Sequence, residues 1–285
     1  MNAFGGLNIL KLYISDLDGT LLNSDQVVSK DSIRIINKLI DSGLKFTIAT
    51  ARSYEACKSI LKPLNLNIPI ILNNGAFVYD TTLAKNIVEN YLDECTVYFI
   101  LKYYELKKIS PIVSAVDSIG NKKIFYRGIF NEGQNIYINS RIQHGDTRLT
   151  EVSDFSQIVN YNIINIFAIE AKGVLDDTYQ LFTKIIKGSF HYTEEIYAKG
   201  FFWLESMNYN ANKRLAAKYL KESLKADKLI CFGDNLNDAP LFKFADEKYA
   251  VKNAYDELKK LATGIIGSNN EDGVAKFLEY NIGNS

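Results

Sequence analysis

Cysteine and histidine are scarce in this chain. Three cysteines, Cys57, Cys95 and Cys231, and two histidines, His144 and His191, are scattered along it with no C-x-x-C pair. A zinc site is therefore not expected. An odd, dispersed cysteine count also gives no disulfide framework and points to a reducing, cytoplasmic setting. Neither sign of charge is in excess: 33 basic and 33 acidic residues cancel. No global field would draw the chain onto nucleic acid or an acidic membrane. Long apolar runs are missing too, none approaching the ~18 residues of a membrane helix. The opening stretch MNAFGGLNILKLY has neither the charged start nor the apolar core of a signal peptide. What is left is an ordinary soluble composition over 285 residues, long for one domain and comfortable for two.

Within that composition the order of elements is informative. Leu10 to Ser15 is nearly continuous in apolar residues and reads as a buried strand. Ser29 then caps a helix carrying Ile33, Ile36, Leu39 and Ile40 and stopped by Gly43. Leu44 to Thr50 is a second strand, Ser53 starts a second helix, and Ile68 to Ala76 is a third strand ending in a tight Asn73-Asn74-Gly75 turn. The rhythm returns near the C-terminus. Asn212 to Ser223 reads as a helix with a buried stripe of Leu215, Ala216, Tyr219 and Leu220. Lys228 to Asp234 is a strand, Asp238 to Phe244 opens a helix with Pro240 in its first turn, and KYAVKNA continues the sheet. Strand alternating with helix predicts an α/β fold with a Rossmann-like parallel sheet.

The stretch between Thr50 and Lys213 is far longer than a crossover connection and must hold something folded. GQNIYINS, IINIFAIEA and IYAKGFFWLES read as exposed-face strands there, and DDTYQLFTKIIKG as a helix. We expect residues 1–82 and 208–285 to form the parallel-sheet core, and 83–207 an inserted α+β domain.

Ligands of open α/β sheets sit at the carboxyl ends of the strands. Asp16 and Asp18 follow the first strand, Thr50 ends the second, and Asp234 ends the KLICFGD strand. Lys213 opens the helix leading into that last strand, and Asn237 and Asp238 come just after it. Asp16 and Asp18, two apart, crowd their charges unless a metal ion, a basic side chain or a shared proton relieves them. Carboxylates without His or Cys favour a hard, oxygen-loving ion, and Mg²⁺ with a substrate phosphate fits. By role, Asp16 would attack a phosphate monoester and Asp18 would protonate the leaving oxygen, then take a proton from water. Lys213, Thr50 and backbone N–H groups near Leu17 would hold the phosphoryl oxygens. Cys231, the aromatic run Phe201-Phe202-Trp203 and His144 are read as packing or surface residues without a role.

These motifs, in this order, resemble those of the haloacid dehalogenase-like superfamily, in its Cof-type (subfamily IIB) phosphatase branch. DLDGT at Asp16 resembles the first motif, TAR at Thr50 the second, NKRLAAKYL from Asn212 the third and GDNLNDAPLF from Gly233 the fourth. NNGA at Asn73 and NNEDGV at Asn269 also match Cof-type segments, so the likeness covers both ends of the chain. The resemblance implies Mg²⁺ on the Asp16 and Asp234 side chains and the Asp18 carbonyl, with Asp238 on the metal's water. It implies phosphate held by Leu17 and Ala51 backbone groups, Thr50, Lys213 and Asn237, and a cap made by the insert. Two residues depart from the pattern: Ala51 and Arg214 stand where the family usually has glycine.

The expected activity is hydrolysis of small phosphorylated metabolites, sugar phosphates or nucleotide-type monoesters. A phosphomutase would use the same aspartyl-phosphate chemistry, and a ligand sensor could keep the fold without it. The complete set of Asp16, Asp18, Lys213 and Asp234 speaks for an enzyme, since a binder has no use for Asp18.

Overall fold

Leu12 and Ile14 are wholly buried, and Tyr13 nearly so. Burying each such side chain contributes roughly 1.5–3 kcal/mol, and it makes the first strand an interior strand of a sheet. The structure, a computed structural model, describes residues 9–194 and 198–282. In chain order the elements are β1 (Lys11–Ser15), α1 (Lys30–Asp41), β2 (Lys45–Ile48), α2 (Tyr54–Leu61), β3 (Ile70–Leu72), β4 (Phe77–Asp80) and β5 (Lys85–Glu89). There follow α3 (Glu94–Leu106), β6 (Ile112–Val116), β7 (Lys122–Tyr126), α4 (Glu132–Gln143), β8 (Leu149–Glu151), β9 (Asn162–Ala171), α5 (Asp176–Ile185), β10 (Gly188–Glu194) and β11 (Phe201–Asn208). The chain closes with α6 (Lys213–Ser223), β12 (Lys228–Gly233), α7 (Ala239–Phe244), β13 (Glu247–Val251), α8 (Asp256–Lys259), β14 (Gly264–Ile266) and α9 (Gly273–Ile282).

Two units result. One joins the chain up to Glu89 to the chain from Ala211 onward, and the other is Asn90–Asn210. The division falls at 89/90 and 210/211 rather than 82/83 and 207/208. The reason is pairing: β5 runs antiparallel to β4, which runs antiparallel to β3, so the hairpin past residue 82 stays with the first unit.

The first unit is built on a five-stranded sheet in the order β14-β13-β12-β1-β2, parallel throughout. β1 lies between β12 and β2, so successive connections leave it in opposite directions. That is the switch point at which open α/β sheets hold ligands. β3 continues the order only through a parallel bridge between Ala49 and Ile71 and belongs by hydrogen bonding to the β3-β4-β5 sheet.

The stripe on α6 differs from expectation. Lys213, Ala216, Ala217 and Leu220 are buried and Tyr219 is exposed. The helical period starts from Lys213 itself, so placing the lysine inside turns Tyr219 out.

In the second unit a six-stranded sheet runs β10-β11-β9-β6-β7-β8, antiparallel except for the β7–β8 pair. GQNIYINS lies in α4, not in a strand. Ile136 and Ile138 alternate as a strand would, but the Asn131 side chain accepts from the Gln134 N–H and starts a helix. Gln134 then fastens it, donating to the Ser110 carbonyl and accepting from the Phe130 N–H. The strand expected from Ile196 begins at Phe201, and Ile196 and Tyr197 lie outside the described residues. Among the described residues no helix is long and apolar enough to cross a membrane.

Candidate active site

β1 and β12 run side by side with Ser15 opposite Phe232, and the Asp16 N–H donates to the Phe232 carbonyl at 2.9 Å. The next residues of both strands, Asp16 and Asp234, therefore leave the sheet at one place. Asp16 is 5% exposed. One oxygen each of Asp16, Asp234 and Asp238 lies within 4.8 Å of the others. The Asn212 side chain caps α6 by accepting from the Leu215 N–H, and this aims Lys213 inward. Its buried Nζ meets Asp16 Oδ1 at 2.5 Å and Asp238 Oδ1 at 2.6 Å. The NNGA turn supports that placement: a Cβ on Gly75 would stand 2.4 Å from the Asn212 carbonyl oxygen.

Two buried carboxylates, Asp16 and Asp238, and a half-buried one, Asp234, thus face one ammonium. Burial raises the Asp16 carboxyl well above the usual range, with the Asp238 and Asp234 charges adding to it, despite Lys213. Asp234 is pushed up to about 6, by burial first and the Asp238 charge second. Burial alone would lower Lys213, but Asp16 and Asp238 outweigh it and hold the ammonium above its ordinary value. Both oxygens of Asp238 are committed, Oδ1 to Lys213 and Oδ2 to the Asp234 and Asn235 N–H groups at 3.2 and 3.3 Å. Asp16 and Asp234 remain short of positive charge. An oxygen-only donor set of this kind suits a hard divalent cation such as Mg²⁺.

Around this centre the other expected residues take distinct positions. Thr50 is fully buried, its hydroxyl accepting from the Arg52 N–H at 3.1 Å, and Ala51 beside it is exposed. Leu17 packs its side chain into the core. Asn237 donates to Asn74 Oδ1 at 3.4 Å, while its own Oδ1 is buried without a hydrogen-bond partner. Asp18 is brought elsewhere: it points away into an ion pair with Arg52, whose Nε and Nη2 reach both its oxygens, from 2.5 to 3.1 Å. Arg52 also donates to Gln26 at 3.0 Å.

Several contacts around the centre escaped the sequence reading. Thr20 donates to Asp234 Oδ1 at 3.0 Å, and Asn253 Nδ2 to the Gly19 carbonyl at 2.7 Å. Asn269 donates from its N–H to Asn253 and from its side chain to the Leu22 carbonyl, so NNEDGV clasps the loop that follows Asp16. Asn253 follows β13 at its carboxyl end, so the strand-end rule that singles out Asp16 applies to it also. Gly19 has φ +70°, and a Cβ there would stand 2.4 Å from Asp234 Oδ2. We expect Gly19→Ala to cost roughly 1–3 kcal/mol, read as a lower melting temperature, and to weaken cation-induced stabilisation because Asp234 must move.

The chain matches the model of the haloacid dehalogenase-like hydrolase family over residues 13–278. It is 26% identical over 288 residues to 5-amino-6-(5-phospho-D-ribitylamino)uracil phosphatase YwtE of Bacillus subtilis, covering 95% of this chain and 97% of that one. It is 27% identical over 275 residues to a putative phosphatase of Streptococcus pyogenes, covering 93% and 96%. Among solved structures, a haloacid dehalogenase-like hydrolase from B. subtilis superposes with a TM-score of 0.75 at 22% identity, covering 95% of this chain and 99% of that one. The subclass IIB sugar phosphatase BT4131 gives 0.71 at 17% identity, covering 95% and 98%.

Proposed function

The chain belongs to the haloacid dehalogenase-like hydrolases and is a phosphatase, and from that premise we propose that it hydrolyses small phosphorylated metabolites through an aspartyl-phosphate on Asp16. Sugar phosphates or nucleotide-type monoesters are the substrate class. The observation that carries this reading is the buried Asp16 carboxylate, held by Lys213 at 2.5 Å at the carboxyl end of β1.

Asp16 attacks phosphorus; the P–O bond to the leaving group breaks and its oxygen takes a proton from Asp18. For this step Asp18 exchanges Arg52 for the leaving oxygen. Water then attacks the aspartyl-phosphate, gives its proton to Asp18 and frees phosphate, restoring Asp16. Lys213, Thr50, the Asn237 side chain and the Leu17 and Ala51 backbone N–H groups hold the phosphoryl oxygens. Asp238 anchors Lys213 and would act on the metal only from beyond its direct ligands, through a bound water. Asp16 and Asp234 with the Asp18 carbonyl would hold Mg²⁺, which would supply neutralisation of the charge building on the phosphoryl oxygens. The insert serves as the cap that shields the reaction from bulk water. The protein works in the cytoplasm, where Cys57, Cys95 and Cys231 stay reduced.

Phosphate release from phenyl phosphate, with Mg²⁺ and with a chelator, tests the reading. We expect turnover only with the ion, and Mg²⁺ at about 100-fold over its dissociation constant to add about 2.7 kcal/mol of stability. Equal release with chelator present rules the metal role out. A rearranged sugar phosphate without free phosphate would instead identify a mutase.

A further inference from the structure

Asp18 turns away from Asp16 because a receptor for its carboxylate stands beside it. Arg52 Nε lies 3.1 and 2.9 Å from the two Asp18 oxygens, and Nη2 reaches Oδ1 at 2.5 Å. This is the forked geometry in which a guanidinium takes a carboxylate. The Arg52 backbone is fixed on both sides: its N–H donates to the Thr50 hydroxyl, and its carbonyl accepts from the Asn73 N–H at 3.0 Å. Gln26 braces the guanidinium, its Oε1 accepting from Nη2 at 3.0 Å. It does so from φ +58°, a left-handed backbone that non-glycine residues seldom adopt. Asn23 enforces that turn: its Oδ1 accepts from the Asp25 and Val27 N–H groups, and its carbonyl accepts from the Gln26 N–H. Strain of this kind persists where the surroundings over-determine it, and ligand clamps are one such place.

The bonds from Thr50, Asn73 and Gln26 do not involve Asp18, so they hold the guanidinium in place when Asp18 turns to the leaving oxygen. What Asp18 then leaves behind is a cation set as a fork for two oxygens. The Arg52 side chain is 21% exposed, so water screens it only in part. An Asp carboxyl turns about two single bonds and travels no farther than its own side chain allows. The vacated place therefore lies within one such swing of the leaving oxygen. A neutral ester gives that place to water, whereas an ester with a carboxylate on a carbon close to the ester oxygen refills it. Without Arg52 the same carboxylate would be repelled, since Asp16, Asp234 and Asp238 already outnumber Lys213.

We propose that Arg52, braced by Gln26, is a specificity-determining residue: it receives a carboxylate of the leaving group in the place of Asp18 and so selects phosphorylated hydroxy acids over neutral phosphate esters of the same size. This rests on the reading of Asp16 and Asp18 as nucleophile and acid, and it adds a requirement on the leaving group that this reading leaves open. Asp18, Gln26 and Arg52 all belong to the parallel-sheet unit.

Two pairs of esters differ only in exchanging a carboxylate for a hydroxymethyl group: phosphoglycolate against 2-hydroxyethyl phosphate, and 3-phosphoglycerate against glycerol 1-phosphate. Phosphate release with Mg²⁺ gives kcat/KM for each. In the parent protein the acid of each pair should exceed its neutral partner by about tenfold. In Arg52→Gln that ratio should fall to about one or below. Arg52→Lys keeps the charge without the fork and should restore a ratio of about three. A merely structural loss would lower both esters of a pair together and leave the ratio alone. A parent ratio near or below one, or a ratio that Arg52→Gln does not change, overturns the proposal. Calorimetry on Asp16→Asn reads binding apart from turnover. Suppose the acid esters bind there more tightly than their partners and lose that advantage in Asp16→Asn/Arg52→Gln, while the parent releases phosphate from none of the four. That result would uphold the carboxylate receptor and remove the proposed hydrolysis of small esters instead.

Discussion

Asp16→Asn is expected to slow phosphate release from phenyl phosphate by at least about 10⁴-fold, because an amide cannot serve as the nucleophile. The variant should nonetheless fold and melt no lower than the parent protein in metal-free buffer. The reason is the crowding at the strand ends. Asp16 is buried against Asp234 and Asp238, and its carboxyl is raised well above the usual range. A carboxyl raised on folding is a group for which the folded state binds the proton more tightly. Its unfavourable contribution is absent below the unfolded value near 3.8 and grows as pH rises above it. An isosteric neutral side chain removes that cost, while Lys213 keeps Asp238 at 2.6 Å. Melting temperature should therefore fall less steeply with rising pH in the variant. Mg²⁺ should also stabilise it less, because one of its ligands is gone. Retention of even about one hundredth of the parent rate would remove Asp16 from the nucleophile's role.

That centre was legible in the sequence because its chemistry obeys a positional rule. Asp16 and Asp234 end buried strands, and adjacent parallel strands deliver their ends to one place whatever lies between them in the chain. Lys213 was legible as an oddity, a cation at a helix start where the dipole disfavours it. Its burial was not, and the expected stripe through Tyr219 was turned for that reason. Asp18 shows a different limit. Its position beside Asp16 is written in the motif, but its pairing with Arg52 depends on a loop 34 residues away. The insert was less legible still. α4 carries strand-like alternation at Ile136 and Ile138, and only the Asn131 cap and the bonds of Gln134 make it a helix. Asn165 and Glu205 are 40 residues apart and meet through the β9–β11 register. No local pattern announces such a pair.

Lys213→Met should lower the melting temperature near pH 8 by about 10 °C, and turnover by about 10³-fold or more. The Lys213 side chain is 1% exposed and bonded to two carboxylates that are 7% and 0% exposed. Breaking a buried ion pair by removing one partner costs about 3–5 kcal/mol, since the other charge stays buried and unpaired. Here two carboxylates lose their partner, and Asp234 lies within reach of both. The raised Lys213 value means its stabilisation is complete below 10.5 and fades only as pH climbs through the still higher folded value. The parent protein therefore has the full benefit across the neutral range. In the variant Asp16 rises further, so the folded state can relieve the repulsion by taking up a proton as pH falls. The gap in melting temperature between parent and variant should accordingly narrow from near pH 8 to near pH 5. Lys213→Arg separates charge from shape: it keeps the cation, so it should recover much of the stability. Its planar fork does not fit two oxygens set for a point charge, so little of the turnover should return. A Lys213→Met variant that melts within about 2 °C of the parent near pH 8 would show that the ammonium is not what balances the cluster.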